Sequence, residues 1–242
     1  MAFTDVTVGV LGATGSVGSA LARRLHKAGA TVILCGRNAE KLNALGAELG
    51  ARTVQADAAK PGELDQAIGA MGPLYGIASC IGSLVLKPAH ATSDADWDSA
   101  IALNLTSAFQ TVRAGTKTML NGGGSIVLVS SSAARIGLAN HEAIAAAKAG
   151  VAGLTLSAAA TYAPRGIRVN CVSPGLVMSG LTQRITSNEA SLKASVAMHA
   201  LGRVGSPEDV ASAIAWLLDP EQRWVTGQVL GVDGGLGSVR SR

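Results

Sequence analysis

Three glycines carry the first chemical signal. Gly12, Gly15 and Gly18 stand in Gly12-Ala13-Thr14-Gly15-Ser16-Val17-Gly18, between an apolar run, Val6–Leu11, and a helical pattern, Val17–Ala28. Glycine permits a tight turn and close approach of a ligand to the backbone. The free N–H groups at the following helix start suit a pyrophosphate. Thr14, Ser16 and Val17 fall in the same loop and join the expected cradle. The strand–loop–helix context favours a phosphate loop over an ordinary glycine-rich turn. Nineteen residues after Gly18, where a carboxylate would bind a ribose 2′-OH, the chain has Gly36 and then Arg37. A guanidinium suits a 2′-phosphate and no acid is present to repel it, so NADP is expected over NAD.

An α/β core must position that loop. Short apolar runs alternate with longer helical patterns. The expected strands are Val6–Leu11, Thr31–Cys35, Thr53–Ala56, Ile77–Cys80, Ile126–Ser130, Arg168–Val172 and Val229–Val232. The expected helices are Val17–Ala28, Ala39–Leu49, Glu63–Ala70, Asp96–Leu120 and Glu142–Tyr162. Continuous rather than alternating apolar strands imply burial on both faces, hence a parallel sheet between helix layers. The expectation is a single-domain doubly wound (Rossmann) α/β fold with seven parallel strands and helices on both faces, covering residues 1–242. The stretch Leu176–Leu201 follows the end of a strand, where ligands bind in such folds, and reads as a substrate lid.

Composition excludes other classes. With 48% hydrophobic and 15% charged residues, disorder is ruled out. A net charge of +4, without a run of like charges or a basic stripe, argues against nucleic acid and suits a small anionic ligand. Cys35, Cys80 and Cys171 show neither disulfide nor metal spacing, and His26, His90 and His199 add no metal pattern. No membrane segment is expected, and the chain reads as cytoplasmic.

Beyond the glycine loop the sequence resembles the short-chain dehydrogenase/reductase family over nearly its whole length. Asp57-Ala58 resembles the family's adenine-contacting pair. Asn104, in Ile101-Ala102-Leu103-Asn104-Leu105, matches the helix asparagine of its catalytic tetrad, and Ser130-Ser131-Ser132 its serine segment. Arg168-Val169-Asn170 leads to Pro174-Gly175, as in the family. Gly202-Arg203, Pro207-Glu208-Asp209 and Val232-Asp233-Gly234-Gly235 are similar to the ketoacyl-reductase-like branch. The resemblance implies cofactor contacts from Gly82, Lys148, Pro174, Gly175, Val177 and Ser179. It also implies a homotetramer or homodimer built through long helices and the C-terminal segment.

Three departures stand out. The glycines follow GxxGxxG instead of GxxxGxG. The usual Asn-Asn-Ala-Gly reads Ser79-Cys80-Ile81-Gly82. The family places a tyrosine thirteen residues after its serine and a lysine four later. Ser131 and Lys148 keep the total spacing of seventeen, but position 144 is Ile144. The only tyrosines, Tyr75 and Tyr162, read as packing residues. Isoleucine can neither donate nor accept a proton, and general acid–base catalysis is typically worth about 10²–10⁴ in rate. Ser131 and Lys148 could still polarise a substrate and hold the nicotinamide ribose, and Asn104 could organise water. His141, one helical turn before Ile144, is a candidate proton carrier.

The expected function is therefore NADP(H)-dependent hydride transfer to a small C=O, C=N or activated C=C substrate, at a site lacking the tyrosine. The alternatives are a catalytically silent NADP-binding protein with a structural or regulatory role, and an inactivated carbonyl reductase.

Overall fold

The computed structural model describes residues 3–239. Seven parallel strands form one sheet in the order β3-β2-β1-β4-β5-β6-β7. They are β1 (Thr7–Leu11), β2 (Thr31–Gly36), β3 (Arg52–Gln55), β4 (Gly76–Ser79), β5 (Gly124–Val129), β6 (Ile167–Pro174) and β7 (Val229–Val232). Each expected strand is present within one or two residues of its limits.

Alternation along the strands splits the interior in two. Val8, Val10, Val32, Leu34 and Val127 point to one core, with α1 (Ser16–Lys27), α2 (Ala39–Leu49) and α9 (Pro207–Leu218). Ile33, Ile77, Ile126 and Leu128 point to the other, with α3 (Glu63–Met71), α5 (Ser107–Met119) and α6 (Glu142–Tyr162). Both faces of the inner strands are buried, which explains their unbroken apolar runs, while the edge strands β3 and β7 are partly exposed. Few aromatics are needed, because Ala, Val, Leu and Ile let the helices lie close to the sheet.

One expected helix is divided. Asp96–Leu120 resolves into α4 (Asp94–Ile101), a π-helical segment Ala102–Thr106, and α5. The widened turn leaves helical carbonyls to be satisfied otherwise, and Asn104 Nδ2 takes Ala100 O at 2.9 Å. Leu176–Leu201 folds as a short 3₁₀ turn, Gly180–Thr182, then α7 (Gln183–Thr186) and α8 (Glu189–Met198).

By length and composition Glu142–Arg165 could cross a membrane. Here it packs against β6, and its Ile144, Ala147, Lys148 and Val151 are buried.

Candidate active site

Strand order reverses between β1 and β4, and the loops after these strands open a crevice at the carboxyl edge of the sheet. A cavity of about 780 Å³ occupies it, floored by the glycine loop and the ends of β4, β5 and β6.

The glycines are required by geometry. Gly12 has φ +72°, and a Cβ there would stand 2.8 Å from Cys80 O. A Cβ on Gly18 would stand 2.3 Å from Gly12 O. The turn thus folds tightly under the first turn of α1. Gly15 occupies the N-cap of α1 with no side chain capping it, and no acid lies in the first turn. By contrast Asn38, Ser93, Asn188 and Ser206 cap α2, α4, α8 and α9 with their side chains. Thr14, Gly15, Ser16, Val17 and Gly18 line the cavity. No carboxylate lines it among the described residues, and its charged groups are Lys41 and Lys148. Open N–H groups, the positive helix end and the Lys41 ammonium fit a dinucleotide's phosphates.

The other end of the cavity is built by β5, α6 and the π segment. Lys148 is buried, and its Nζ donates to Val129 O at 2.7 Å. Ser130 Oγ donates back to Lys148 O at 2.8 Å, fastening α6 to the end of β5. Burial pushes the Lys148 ammonium down to about 8, opposed by the neighbouring Cys171 and Cys80 sulfurs. Burial pushes the Cys80 thiol up to about 12, so it is neutral and unreactive at neutral pH. Ser131 Oγ accepts from Ala133 N at 3.2 Å. Ile144, 3% exposed, presents its side chain to the cavity one turn before Lys148. Neither Tyr75 nor Tyr162 lines the cavity.

His141 is the N-cap residue of α6 and lines the cavity. Its Nδ1 lies 2.7 Å from Ala139 O. A carbonyl only accepts, so Nδ1 carries the proton and Nε2 is left for other partners.

Gly82, Asn104, Pro174, Gly175, Val177 and Ser179 also reach the cavity. Four expected contacts do not. Gly12 lies beneath the turn. Arg37 is exposed at the end of β2. Asp57 Oδ1 accepts from Ala59 N at 3.0 Å, and Ala58 packs against the core.

The structure adds residues that spacing alone missed. Lys41, from the first turn of α2, joins the phosphate end. Ser83 joins the reaction end, held by Asn104. His199 ties the segment Leu176–Leu201 together: its Nδ1 donates to Ser195 O at 2.6 Å and its Nε2 accepts from Leu176 N at 3.2 Å. Ser132 Oγ donates to Asp233 Oδ2 at 2.8 Å, tying the serine segment to the C-terminal turn. The i to i+4 step from Arg37 to Lys41 was visible in the sequence. The other pairings depend on tertiary contacts.

A parallel sheet with an open helix start at its switch point defines the class of dinucleotide-binding α/β proteins. The family profile described as Enoyl-(Acyl carrier protein) reductase matches residues 12–237. The 3-oxoacyl-[acyl-carrier-protein] reductase FabG of Rickettsia felis is 36% identical over 237 residues, covering 96% of this chain and 97% of its own. A short-chain type dehydrogenase/reductase from Mycobacterium ulcerans superposes with a TM-score of 0.94 at 30% identity, covering 100% of this chain and 93% of its own. A variant actinorhodin polyketide ketoreductase with NADPH gives 0.91 at 30% identity, over 99% and 100%. The chain belongs to the short-chain dehydrogenase/reductase family.

Proposed function

We propose that the protein is an NADP(H)-dependent oxidoreductase that reduces a small activated C=C or C=N substrate, or a carbonyl that needs little acid catalysis. One observation carries this reading. A single cavity joins the uncapped start of α1 to Ser131 and Lys148, while Ile144 forms its wall between them. A nicotinamide dinucleotide bound there supplies hydride. Gly15, Ser16, Val17 and Gly18 hold its pyrophosphate, with Thr14 beside them. Gly82, Pro174, Gly175, Val177 and Ser179 border its nicotinamide half, and Lys148 holds the adjoining ribose. Asp57 and Ala58 flank the adenine. Arg37, with Lys41, reads the 2′-phosphate. Ser131 orients the substrate, Asn104 organises the surrounding polar groups, and His141 exchanges protons through its free Nε2.

The relatives support the cofactor: the ketoreductase neighbour is described with NADPH. Three unpaired cysteines, two fully buried, suit a reducing cytoplasm. Phe109 on α5 and Leu156 on α6, both about half exposed, suit burial in a homodimer or homotetramer.

Ile144 also favours a second reading, a silent NADP-binding protein, and measured turnover separates the two. The cofactor assignment is tested by fluorescence titration with NADPH and NADH. Wild type binds NADPH more tightly, and Arg37→Ala removes most of the difference. Equal wild-type affinities contradict the assignment.

A further inference from the structure

Two serine hydroxyls in the cavity wall are set as donors. Ser83 Oγ accepts from Asn104 Nδ2 at 3.0 Å, and Ser83 N–H donates to Asn104 Oδ1 at 3.2 Å. The second Nδ2 hydrogen goes to Ala100 O at 2.9 Å. Asn104 is buried at 2% exposure. Its amide orientation is dictated, because a flip would set nitrogen against the Ser83 N–H and oxygen against the Ala100 carbonyl. One lone pair of the Ser83 hydroxyl is engaged, which fixes the oxygen and leaves its proton to give. Among the described residues no acceptor takes it. Ser131 repeats the pattern: its Oγ accepts from Ala133 N, and no described residue takes its proton. Both serines line the cavity that Ile144 and Lys148 border. A Cβ placed on Gly82 would lie 3.1 Å from Asn104 Oδ1 and 3.7 Å from Lys148 Nζ. The Ser83–Asn104 pair and the Lys148 ammonium therefore converge at the same end.

We propose that Ser83 and Ser131 form a two-hydroxyl cradle for a substrate oxygen that gains negative charge, and that Ser83 is a catalytic residue aimed by Asn104. The substrate class rests on the hydride-transfer reading above: an α,β-unsaturated carbonyl compound, such as an enone or enoyl thioester. Hydride addition at the β-carbon of such a compound sends the π-electron pair to the carbonyl oxygen. That oxygen needs charge stabilisation rather than a proton during hydride transfer, which aligned donors in a water-poor site supply. The enolate then takes its proton at the α-carbon from solvent, which completes the saturated product. A simple ketone must instead end with a proton on oxygen, and a serine hydroxyl is a weak acid. The two hydroxyls thus explain how an apolar residue at 144 is compatible with chemistry.

The test uses 4-nitrophenol as an oxyanion probe, titrated into the NADP⁺-loaded protein while absorbance separates phenol from phenolate. Wild type favours the phenolate. Ser83→Ala lowers phenolate affinity roughly tenfold or more, the worth of one hydrogen bond to a charged oxygen. Ser83→Thr, which keeps the hydroxyl, restores most of it. Circular dichroism checks the fold of both variants. Equal phenolate affinity in wild type and Ser83→Ala overturns the proposal, as does an equal loss in folded Ser83→Thr. NADPH fluorescence reports the cofactor reading separately. Should NADPH fail to bind wild type, that reading falls, and the same comparison on unloaded protein still decides Ser83.

Discussion

The two ends of the cleft follow different rules. At the phosphate end, backbone does the work: a tight glycine turn, an uncapped helix and the nearby Lys41 cation, with no carboxylate in the wall among the described residues. At the reaction end, side chains do the work: Asn104, Ser83, Ser131 and Lys148 are fixed by hydrogen bonds around an apolar wall at Ile144. In the proposed function the phosphate end holds the dinucleotide through backbone and charge. The reaction end selects what chemistry follows. The glycine turn keeps its tight backbone geometry with altered glycine spacing, whereas at the reaction end a single side chain, Ile144, changes the chemistry on offer.

The largest expected effect falls on the phosphate end. Gly18→Val places a Cβ against Gly12 O, which already lies 2.3 Å from where that atom must go. NADPH binding, read by fluorescence, should be lost outright. Retained binding would mean that the loop is not the phosphate site.

Next comes the wall. Ile144→Tyr introduces a ring beside the serine pair and should lower reduction of an unsaturated carbonyl by about tenfold or more, with NADPH affinity preserved, since overpacking and a misplaced hydroxyl both disturb the substrate oxygen. A variant that instead gains ketone reduction and keeps its original rate would show the wall to be incidental.

The smallest effect concerns Lys148. Its pKa is lowered by burial, to about 8 in the folded protein against about 10.5 for a solvated lysine. Between these values the unfolded lysine binds a proton that the folded one has released, so the Lys148 contribution to stability rises with pH from about 8 to about 10.5. Below that window the folded protein carries the cost of a buried ammonium. Burial pushes the Cys35, Cys80 and Cys171 thiols up, which lowers stability with rising pH above about 9 in any variant that keeps them. Urea denaturation should therefore show wild type gaining stability relative to Lys148→Met as pH climbs through the window, and a constant difference between the two would contradict the assignment.

The same contrast explains what could be read from sequence. The strands were legible because burial on both faces leaves unbroken apolar runs, and Ala39–Leu49 and Glu142–Tyr162 match their expected limits. The phosphate loop was legible because it is local in sequence. The π segment was not: one inserted residue leaves the helical apolar pattern almost unchanged, so Asp96–Leu120 reads as one helix. The Ser83–Asn104 pair, 21 residues apart, and the His199 latch on Leu176, 23 apart, exist only once strands and helices have met. Ile144 was conspicuous by residue type, yet its place in the cavity wall depends on how α6 lies across β5 and β6.

The central claim is that this cleft transfers hydride without a tyrosine. The direct measurement incubates wild type with NADPH deuterated at the transferable nicotinamide position and an enone or enoyl thioester, and analyses the product by mass spectrometry. The account predicts one deuterium at the β-carbon, lost when Lys148 or Ser83 is replaced by alanine. NADPH bound tightly, with no deuterium transferred to any unsaturated carbonyl, imine or ketone, would contradict it and leave a binding protein.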